Sequence, residues 1–310
     1  ALSGQLSVGK AGPLRTIIAT HNMYIGFSMS GRRVSLINMS RNALTSLVVT
    51  KAVPHVLDIS YNQIVGVLSQ AGLPCDRRLR ELYASGNMIS AVGPITSTPP
   101  SSCEWHGVFE VLDLSTNELS SDHFSKFFAS SSFKRLMLGD NRISGQVALA
   151  SIPRMDVLDL SENYFFDLQL PAASASQRRA PHHLYLSGVP LSNQQVDSLF
   201  TTALSQNPLD VRLARTHLRG NITFSCAGCY TLDLRNNLIT GLKFAAVSSP
   251  GQLLRLTRLD VSHNLITSMD LSTLGANVSW VNASHNHLSE LNVSPTEMKK
   301  AKGWHRSDSF

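Results

Sequence analysis

Residues 109–119 read Phe-Glu-Val-Leu-Asp-Leu-Ser-Thr-Asn-Glu-Leu, and this stretch decides the fold of the chain. Apolar side chains stand at its first, fourth, sixth and eleventh positions, and Asn117 stands at its ninth. Residues 256–266 repeat the same spacing, with Asn264 at the equivalent place. A pattern that returns far along a chain predicts a repeated structural unit.

This unit recurs along nearly the whole chain, from Leu14 to Leu291. In two copies the asparagine is replaced, by Val189 in one and by Thr216 in the other. The sequence therefore holds about twelve units, spaced roughly 20 to 30 residues apart. The remaining copies surround Asn22, Asn42, Asn62, Asn87, Asn141, Asn163, Asn237 and Asn286.

The spacing has a direct physical interpretation. The central apolar-x-apolar pair predicts a short strand with alternate side chains buried, and successive strands should pair in parallel about 4.8 Å apart. The pattern resembles that of the leucine-rich repeat superfamily, and repeats such as residues 237–241 resemble those of receptor ectodomains. The resemblance implies an α/β solenoid, a horseshoe with a concave parallel sheet and a mostly irregular convex side. It also implies that each asparagine bonds to the backbone of adjoining turns.

The repeat pattern sets the expected domain limits. We expect a leucine-rich repeat domain over residues 1–291 and a basic C-terminal tail over residues 292–310. Residues 1–6 resemble the stretch that follows Asn141, so we expect the chain to begin inside a repeat and to be a fragment of a longer protein.

Two segments between strands depart from the plain repeat. Ser192 and Gln195 form a capping-box pattern, which together with an apolar stripe predicts a helix over residues 192–206. The longest insertion, residues 90–108, contains several prolines and is expected to loop off the solenoid.

Composition narrows the function classes. Of 310 residues, 43% are hydrophobic and 15% are charged, which predicts a folded chain with a large core. Because no apolar run approaches the roughly 18 residues of a membrane helix, no membrane span is expected. The net charge of +6 is a mild excess in short clusters, interpreted as solvated loops, so a nucleic-acid partner is not expected. The sequence shows no phosphate-cradling glycine loop and no nucleophile elbow, so neither an enzyme nor a cofactor is expected.

Four cysteines are candidates for disulfide bonds. Cys75 and Cys103 lie in consecutive convex loops and could pair. Cys226 and Cys229 form a C-x-x-C, for which a local disulfide and buried thiols remain alternatives. A redox role is disfavoured, because redox enzymes place this motif at the start of a helix whereas Cys229 occupies the first apolar position of a repeat.

Five N-x-Ser/Thr sequons give slight support for a secreted glycoprotein, since a chain rich in Asn and Ser contains several by chance. The fifth sequon, at Asn292, is weakened by Pro295 just after it. The glycosylation candidates are therefore Asn38, Asn221, Asn277 and Asn282.

Two polar columns invite a catalytic or metal-binding interpretation that we do not favour. Leu-Asp-Leu-Ser is a frequent form of the repeat itself, so its aspartates and serines are interpreted as structural. His263 and His285 each precede a repeat asparagine and are expected to stack on adjacent repeats as ordinary surface histidines. The aspartate column consists of Asp58, Asp113, Asp159, Asp233 and Asp260.

The concave positions that depart from the Asp/Ser pattern are the candidate binding residues. Aromatic and arginine side chains are enriched at interface hot spots. The two adjacent repeats that lack the asparagine carry His183, Tyr185 and Arg212, which form the first choice of contact site. The full candidate set is Tyr83, Met137, His183, Tyr185, Arg212, Arg235, Arg258 and Trp280.

These observations favour a recognition solenoid that belongs to a larger cell-surface or secreted receptor-like protein and binds a protein or peptide partner. Irregular repeat lengths and a possible cysteine pair support this hypothesis. The alternative is an intracellular, cytoplasmic scaffold or assembly subunit. It is favoured by the basic tail and by the lack of a cysteine-rich cap after the last repeat.

Overall fold

The structure is a computed structural model that divides into two compact units, Ala1–Met155 (unit 1) and Asp156–Phe310 (unit 2). No helix among the residues it describes is long and apolar enough to cross a membrane. The described residues are 1–9, 14–30, 34–49, 54–68, 78–92, 108–121, 132–148, 155–169, 181–200, 210–224, 226, 228–245, 255–272, 274 and 278–292.

The apolar-x-apolar pairs form the strands of the main sheet, as predicted, and neighbouring strands within each unit pair in parallel. Unit 1 contributes β2 (Thr16–Ile18), β4 (Leu36–Asn38), β6 (Val56–Asp58), β8 (Glu81–Tyr83), β10 (Val108–Asp113) and β11 (Ser132–Met137). Unit 2 contributes β13 (Val157–Asp159), β15 (His183–Tyr185), β16 (Asp210–Arg212), β18 (Thr231–Asp233), β20 (Arg258–Asp260) and β22 (Trp280–Asn282).

Burial alternates along these strands. In β15, for example, Leu184 is buried while its two neighbours are half-buried. Alternate side chains of a strand point to opposite sides of the sheet, so one side packs on the core and the other is partly accessible. We call this accessible side the open face of the main sheet.

The segments after the repeat asparagines are more regular than the sequence predicted. Many of them form a second set of short strands, which pair in parallel within each unit. Gly220 has a φ of +73° and forms a bulge with Asn221, a conformation in which a side chain would be strained. These strands are β1 (Ser3–Val8), β3 (Met23–Met29), β5 (Ser46–Val49), β7 (Val65–Val67), β9 (Met88–Ala91), β12 (Ser144–Ala148), β14 (Tyr164–Gln169), β17 (Arg219–Phe224), β19 (Leu238–Phe244), β21 (Ser268–Asp270) and β23 (Glu290–Asn292).

One described helix, α1 (Asn193–Ser198), lies in unit 2. Ser192 and Gln195 form the predicted capping box: the Gln195 amide donates to the Ser192 hydroxyl, and the Ser192 amide donates to the Gln195 side chain at 2.7 Å. The rest of the predicted helix extends into residues 201–206, outside the described residues.

The core is built from the repeated apolar positions. Leu112 and Leu114 are fully buried, and Phe109 stacks on Phe133 with ring centroids 5.9 Å apart. Leu119, the apolar residue after Asn117, is buried in the same core. Each such side chain contributes roughly 1.5–3 kcal/mol through burial of apolar surface.

The asparagines form the predicted ladder of buried hydrogen bonds. The Asn117 amide nitrogen donates to the carbonyl oxygens of Ala84, Leu114 and Ser115 at 3.0–3.1 Å. Its side-chain oxygen accepts the Ile89 N–H at 3.0 Å. One side chain therefore satisfies backbone groups of two successive repeats, which buried backbone requires.

The ladder changes in unit 2, where Val189 and Thr216 replace two asparagines. The Thr216 hydroxyl donates to its own turn, at 2.8 Å from the Leu213 oxygen. The next repeat has Thr216 in place of the asparagine whose oxygen would accept the Leu191 N–H. The Leu191 N–H donates instead to the Val189 carbonyl at 2.8 Å. One side-chain bond and one local backbone bond thus compensate for part of the lost amide contacts.

The residue before each repeat asparagine, or before its replacement, adopts a left-handed backbone. We call this set the left-handed column; its non-glycine members have φ between +51° and +56°. The imidazoles of His263 and His285 stack within it, with centroids 4.1 Å apart, as the sequence predicted. The column comprises His21, Arg41, Tyr61, Gly86, Thr116, Asp140, Glu162, Gly188, Arg215, Asn236, His263 and His285.

Candidate binding surface

Strand register brings the first-choice residues together on the open face of unit 2. Strands β15 and β16 pair so that His183 lies beside Asp210 and Tyr185 lies beside Arg212. Because these residues flank the buried centres of their strands, all four side chains project from the same side of the sheet. We call them the Asp210 cluster.

The Asp210 carboxylate holds the cluster together. The Tyr185 hydroxyl donates to its Oδ2 atom at 3.2 Å, and the Arg212 guanidinium donates to the same atom at 3.2 Å. The Arg212 guanidinium carbon lies 4.3 Å from the centre of the Tyr185 ring, which adds a cation–π contact. The aromatic and cationic groups are therefore fixed in place without a ligand.

His183 completes the cluster but is loosely tied to it. Its Nδ1 atom is 3.5 Å from the Asp210 Oδ2 atom, a distance that becomes an ion pair only when the imidazole is protonated. Neither His183 Nδ1 nor Asp210 Oδ1 has a hydrogen-bond partner, although both atoms are buried. Unsatisfied buried polar atoms are rare in folded proteins. This part of the cluster therefore keeps two hydrogen-bonding positions that no protein group fills.

Burial raises the pKa of the Tyr185 hydroxyl, and the charge of Asp210 raises it further. The phenol therefore stays protonated and keeps donating its hydrogen bond to Asp210. At neutral pH the cluster presents a neutral ring, a guanidinium and one shared carboxylate.

Asp210 was missed by sequence reasoning. It precedes Val211 in a repeat that lacks the asparagine, so nothing in the repeat pattern marks it. The usable signal was the Asp-x-Arg spacing of residues 210–212, which places both charged side chains on one side of a strand.

A second arginine–aromatic pair lies on the same face of unit 2. Strands β20 and β22 place Arg258 beside Trp280, and the guanidinium carbon is 4.6 Å from the Trp280 ring. Arg235 turns instead to Asp233, whose Oδ2 atom is 3.3 Å from the Arg235 Nε atom. Burial raises the pKa of Asp233.

The two candidates in unit 1 are not brought together. Tyr83 lies on β8 and Met137 on β11, with β10 between them. The Tyr83 hydroxyl donates to Glu81 at 2.9 Å, and burial together with this bond raises its pKa to about 12.

The aspartate column has the structural role that the sequence suggested. The Asp113 Oδ1 atom accepts both the amide and the hydroxyl of Ser115, at 3.0 and 2.6 Å. Asp260 and Ser262 repeat the arrangement. Among the described residues, no three metal-ligating side chains are grouped.

The sulfur atoms of Cys226 and Cys229 are bonded to each other in the structure, with Cα atoms 5.6 Å apart. Both residues are buried. Cys75 and Cys103 lie outside the described residues, so their predicted pairing stays a prediction.

The sequons differ in accessibility. Asn38 and Asn282 use their side-chain oxygens to accept from the serines of their own sequons, at 2.7 and 2.9 Å. Asn221 is exposed on β17, and so is Thr223 of its sequon. Asn277 lies outside the described residues.

Parallel repeats, a buried asparagine ladder and an open sheet face define a leucine-rich repeat solenoid. Among solved structures, YopM from Yersinia enterocolitica resembles the chain with a TM-score of 0.51 and 20% identity. The match covers 94% of this chain and 51% of YopM, so the chain spans about half of YopM's length. At this identity the likeness establishes the fold.

Two receptor structures are also similar. The leucine-rich repeat ectodomain of GASSHO1/SCHENGEN3 from Arabidopsis thaliana, in complex with CASPARIAN STRIP INTEGRITY FACTOR 2, has a TM-score of 0.47, 19% identity and coverage of 92% of this chain and 34% of that one. A TDR receptor has a TM-score of 0.44, 18% identity and coverage of 92% and 66%. No protein-family model matches the sequence. No curated protein matches it either.

Proposed function

We propose that this chain is a recognition module that binds a protein or peptide partner through the open face of unit 2. The observation that carries the proposal is the Asp210 cluster, in which Arg212 and Tyr185 are held in place before any partner arrives. Pre-organised side chains lose less entropy on binding. Neither side chain packs in the core, so both are available to contact a partner at the surface.

Binding is favoured over catalysis by the state of the polar groups. The hydroxyls of Ser115 and Ser262 donate to the aspartates two residues earlier, Asp113 and Asp260. The same carboxylate oxygens also accept the backbone N–H groups of these serines. Each Asp–Ser pair therefore closes a turn of its repeat, and a structural role accounts for both groups.

Selection from a display library of short random peptides tests the binding proposal. For enriched peptides, Tyr185→Ala and Arg212→Ala should each weaken binding by about 2 kcal/mol, or about 30-fold, as expected for hot spots. Fluorescence polarisation would measure the affinities, and circular dichroism would check folding.

Unit 1 offers a matched control. There the Arg41 guanidinium carbon lies 4.6 Å from the Tyr61 ring. Arg41→Asn removes that pair while keeping a residue that tolerates the left-handed backbone, and it should change affinity by less than about 0.5 kcal/mol. Equal losses in all three variants, or a library that yields no peptide, would refute the assignment of the site.

We further propose a cell-surface or secreted setting, supported by the Cys226–Cys229 disulfide and by the exposed sequon at Asn221. An intracellular scaffold is the alternative, in which these thiols would stay reduced. Glycopeptide mass spectrometry after secretion from a eukaryotic host should find glycan on Asn221. A glycan on Asn38 or Asn282 would break their turns and cover the open face. Unmodified Asn221 would favour the alternative, with Thr223→Ala as the control.

A further inference from the structure

A polar cavity of about 360 Å³ opens in unit 2, within the range of small-molecule sites. Its lining includes Arg215, Arg235, Asn236, Asp260 and His263. It shares Arg235 with the candidate set above, but the side chains of the Asp210 cluster do not line it. Small-molecule sites are usually apolar with a few polar groups, so a cavity lined this way selects a ligand with many hydrogen-bonding groups.

The charged groups of the cavity already have partners. Arg215 pairs with Glu162, and Arg235 pairs with Asp233 at 3.3 Å. The Asp260 carboxylate accepts from the hydroxyl of Ser262. Because each guanidinium has its own carboxylate, the site offers little net attraction to a multiply charged anion.

Two further side chains of the lining keep hydrogen-bonding groups without a protein partner. Within the part of the chain that the structure describes, the side-chain amide of Asn236 and the ring nitrogens of His263 make no hydrogen bond. An amide both donates and accepts, a neutral imidazole does the same, and a guanidinium has five N–H groups of which only some are used. The vacant hydrogen-bonding positions therefore suit hydroxyl groups, which also donate and accept.

Backbone geometry places these side chains together. Arg215, Asn236 and His263 belong to the left-handed column, with φ values of +55° to +56°. They occupy equivalent positions of three successive repeats, and all three line the cavity. Gly188 lies next to Arg215 in the column, where a Cβ atom would overlap the Glu162 carboxylate. Its missing side chain lets Glu162 reach Arg215.

Asn282 lines the cavity, and Trp280 lies two residues earlier on the same strand and the same face, outside the lining. The Arg258 guanidinium covers the Trp280 ring at 4.6 Å. The polar side chains of the lining therefore supply the contacts to a ligand.

We propose that this cavity binds a neutral saccharide, with Asn236, His263, Arg215 and Arg235 bonding its hydroxyl groups. The proposal does not depend on peptide binding at the Asp210 cluster, so either can fail alone.

A printed array of neutral and acidic oligosaccharides tests the proposal. The wild-type chain should bind neutral members, and Asn236→Gly should weaken that binding by about tenfold, the effect of losing one or two hydrogen bonds. Glycine tolerates the left-handed backbone, so this variant removes the amide without adding strain.

Thr116→Gly puts glycine at the equivalent left-handed position of unit 1, where φ is +53°. This control variant should leave glycan binding intact. Binding that is confined to acidic glycans, binding that Asn236→Gly leaves unchanged, or no binding to the array would each overturn the proposal.

Discussion

Units 1 and 2 are each built from the same repeated strands and turns. They differ in the side chains on their open faces and in the hydrogen bonds that hold their turns. The open face of unit 1 carries aliphatic side chains such as Ile18, Leu36 and Val56 on its strands. Unit 2 carries four arginines interleaved with aspartates on its open face and its left-handed column. In unit 1 the asparagine ladder is unbroken, whereas unit 2 replaces two members with Val189 and Thr216.

The difference shows that interior and surface chemistry are separable in this fold. The Asp210 cluster is built on the two repeats that lack the ladder asparagine. Each strand keeps its buried central residue, such as Val211, so the sheet keeps its register even where the turns lose amide bonds. A surface can then change without moving the core.

Truncating a core leucine should have the largest effect and should be the same in both units. Leu114→Ala in unit 1 and Leu213→Ala in unit 2 both remove side chains that are at most 1% exposed. Each should lower the free energy of unfolding by about 2–5 kcal/mol. Urea denaturation followed by circular dichroism would measure it. A loss confined to Leu114→Ala would show that the interiors of the two units also differ.

Changes in the ladder should separate the units. Asn117→Ala leaves four backbone groups without their hydrogen-bond partner and should lower the free energy of unfolding by about 2–3 kcal/mol. Thr216→Val removes one hydroxyl and should lower it by about 1 kcal/mol. The same urea titration applies. Equal costs would mean that the threonine replaces the asparagine fully and that the ladder is not interrupted at Thr216.

Loss of the Cys226–Cys229 disulfide should affect unit 2 by about 2 kcal/mol, the chain-entropy value for so short a loop. Thermal melts with and without a reducing agent would measure it, and the Cys226→Ala variant should melt like the reduced protein. If the melting temperature of the wild-type protein does not change with the reductant, these cysteines are thiols in the purified protein.

The sequence was sufficient for the fold because the decisive signal is repeated. A single apolar-x-apolar pair is ambiguous, but its recurrence with Asn117, Asn264 and their equivalents admits one arrangement. The second strands were missed because segments such as Ser144–Ala148 hold small and polar residues with one apolar residue, Val147, and their pairing depends on the neighbouring repeat.

The candidate surface could be predicted only in part. The spacing placed Tyr185 and Arg212 on one face because alternation is a local property. Their shared partner, Asp210, lies 25 residues from Tyr185, and strand register brings the two together. Register depends on the lengths of the intervening loops, which repeat spacing does not fix.

The smallest expected effect compares one tyrosine from each unit. Burial and a hydrogen bond to Glu81 raise the pKa of Tyr83 from 10.0 to about 12, and burial with the charge of Asp210 raises that of Tyr185. A raised pKa stabilises the folded state fully below the unfolded value, and this contribution is lost as pH rises through the folded value. For Tyr83 the loss should fall between about pH 10 and pH 12. In an absorbance titration of the folded protein, Tyr83→Phe should remove ionisation from the alkaline end of the curve. Tyr185→Phe should also remove ionisation that lies on the alkaline side of the ordinary tyrosine transition. If Tyr185→Phe removes only ionisation at the ordinary tyrosine pKa, then the Asp210 carboxylate does not hold its hydroxyl, and the pre-organised surface of unit 2 is lost with it.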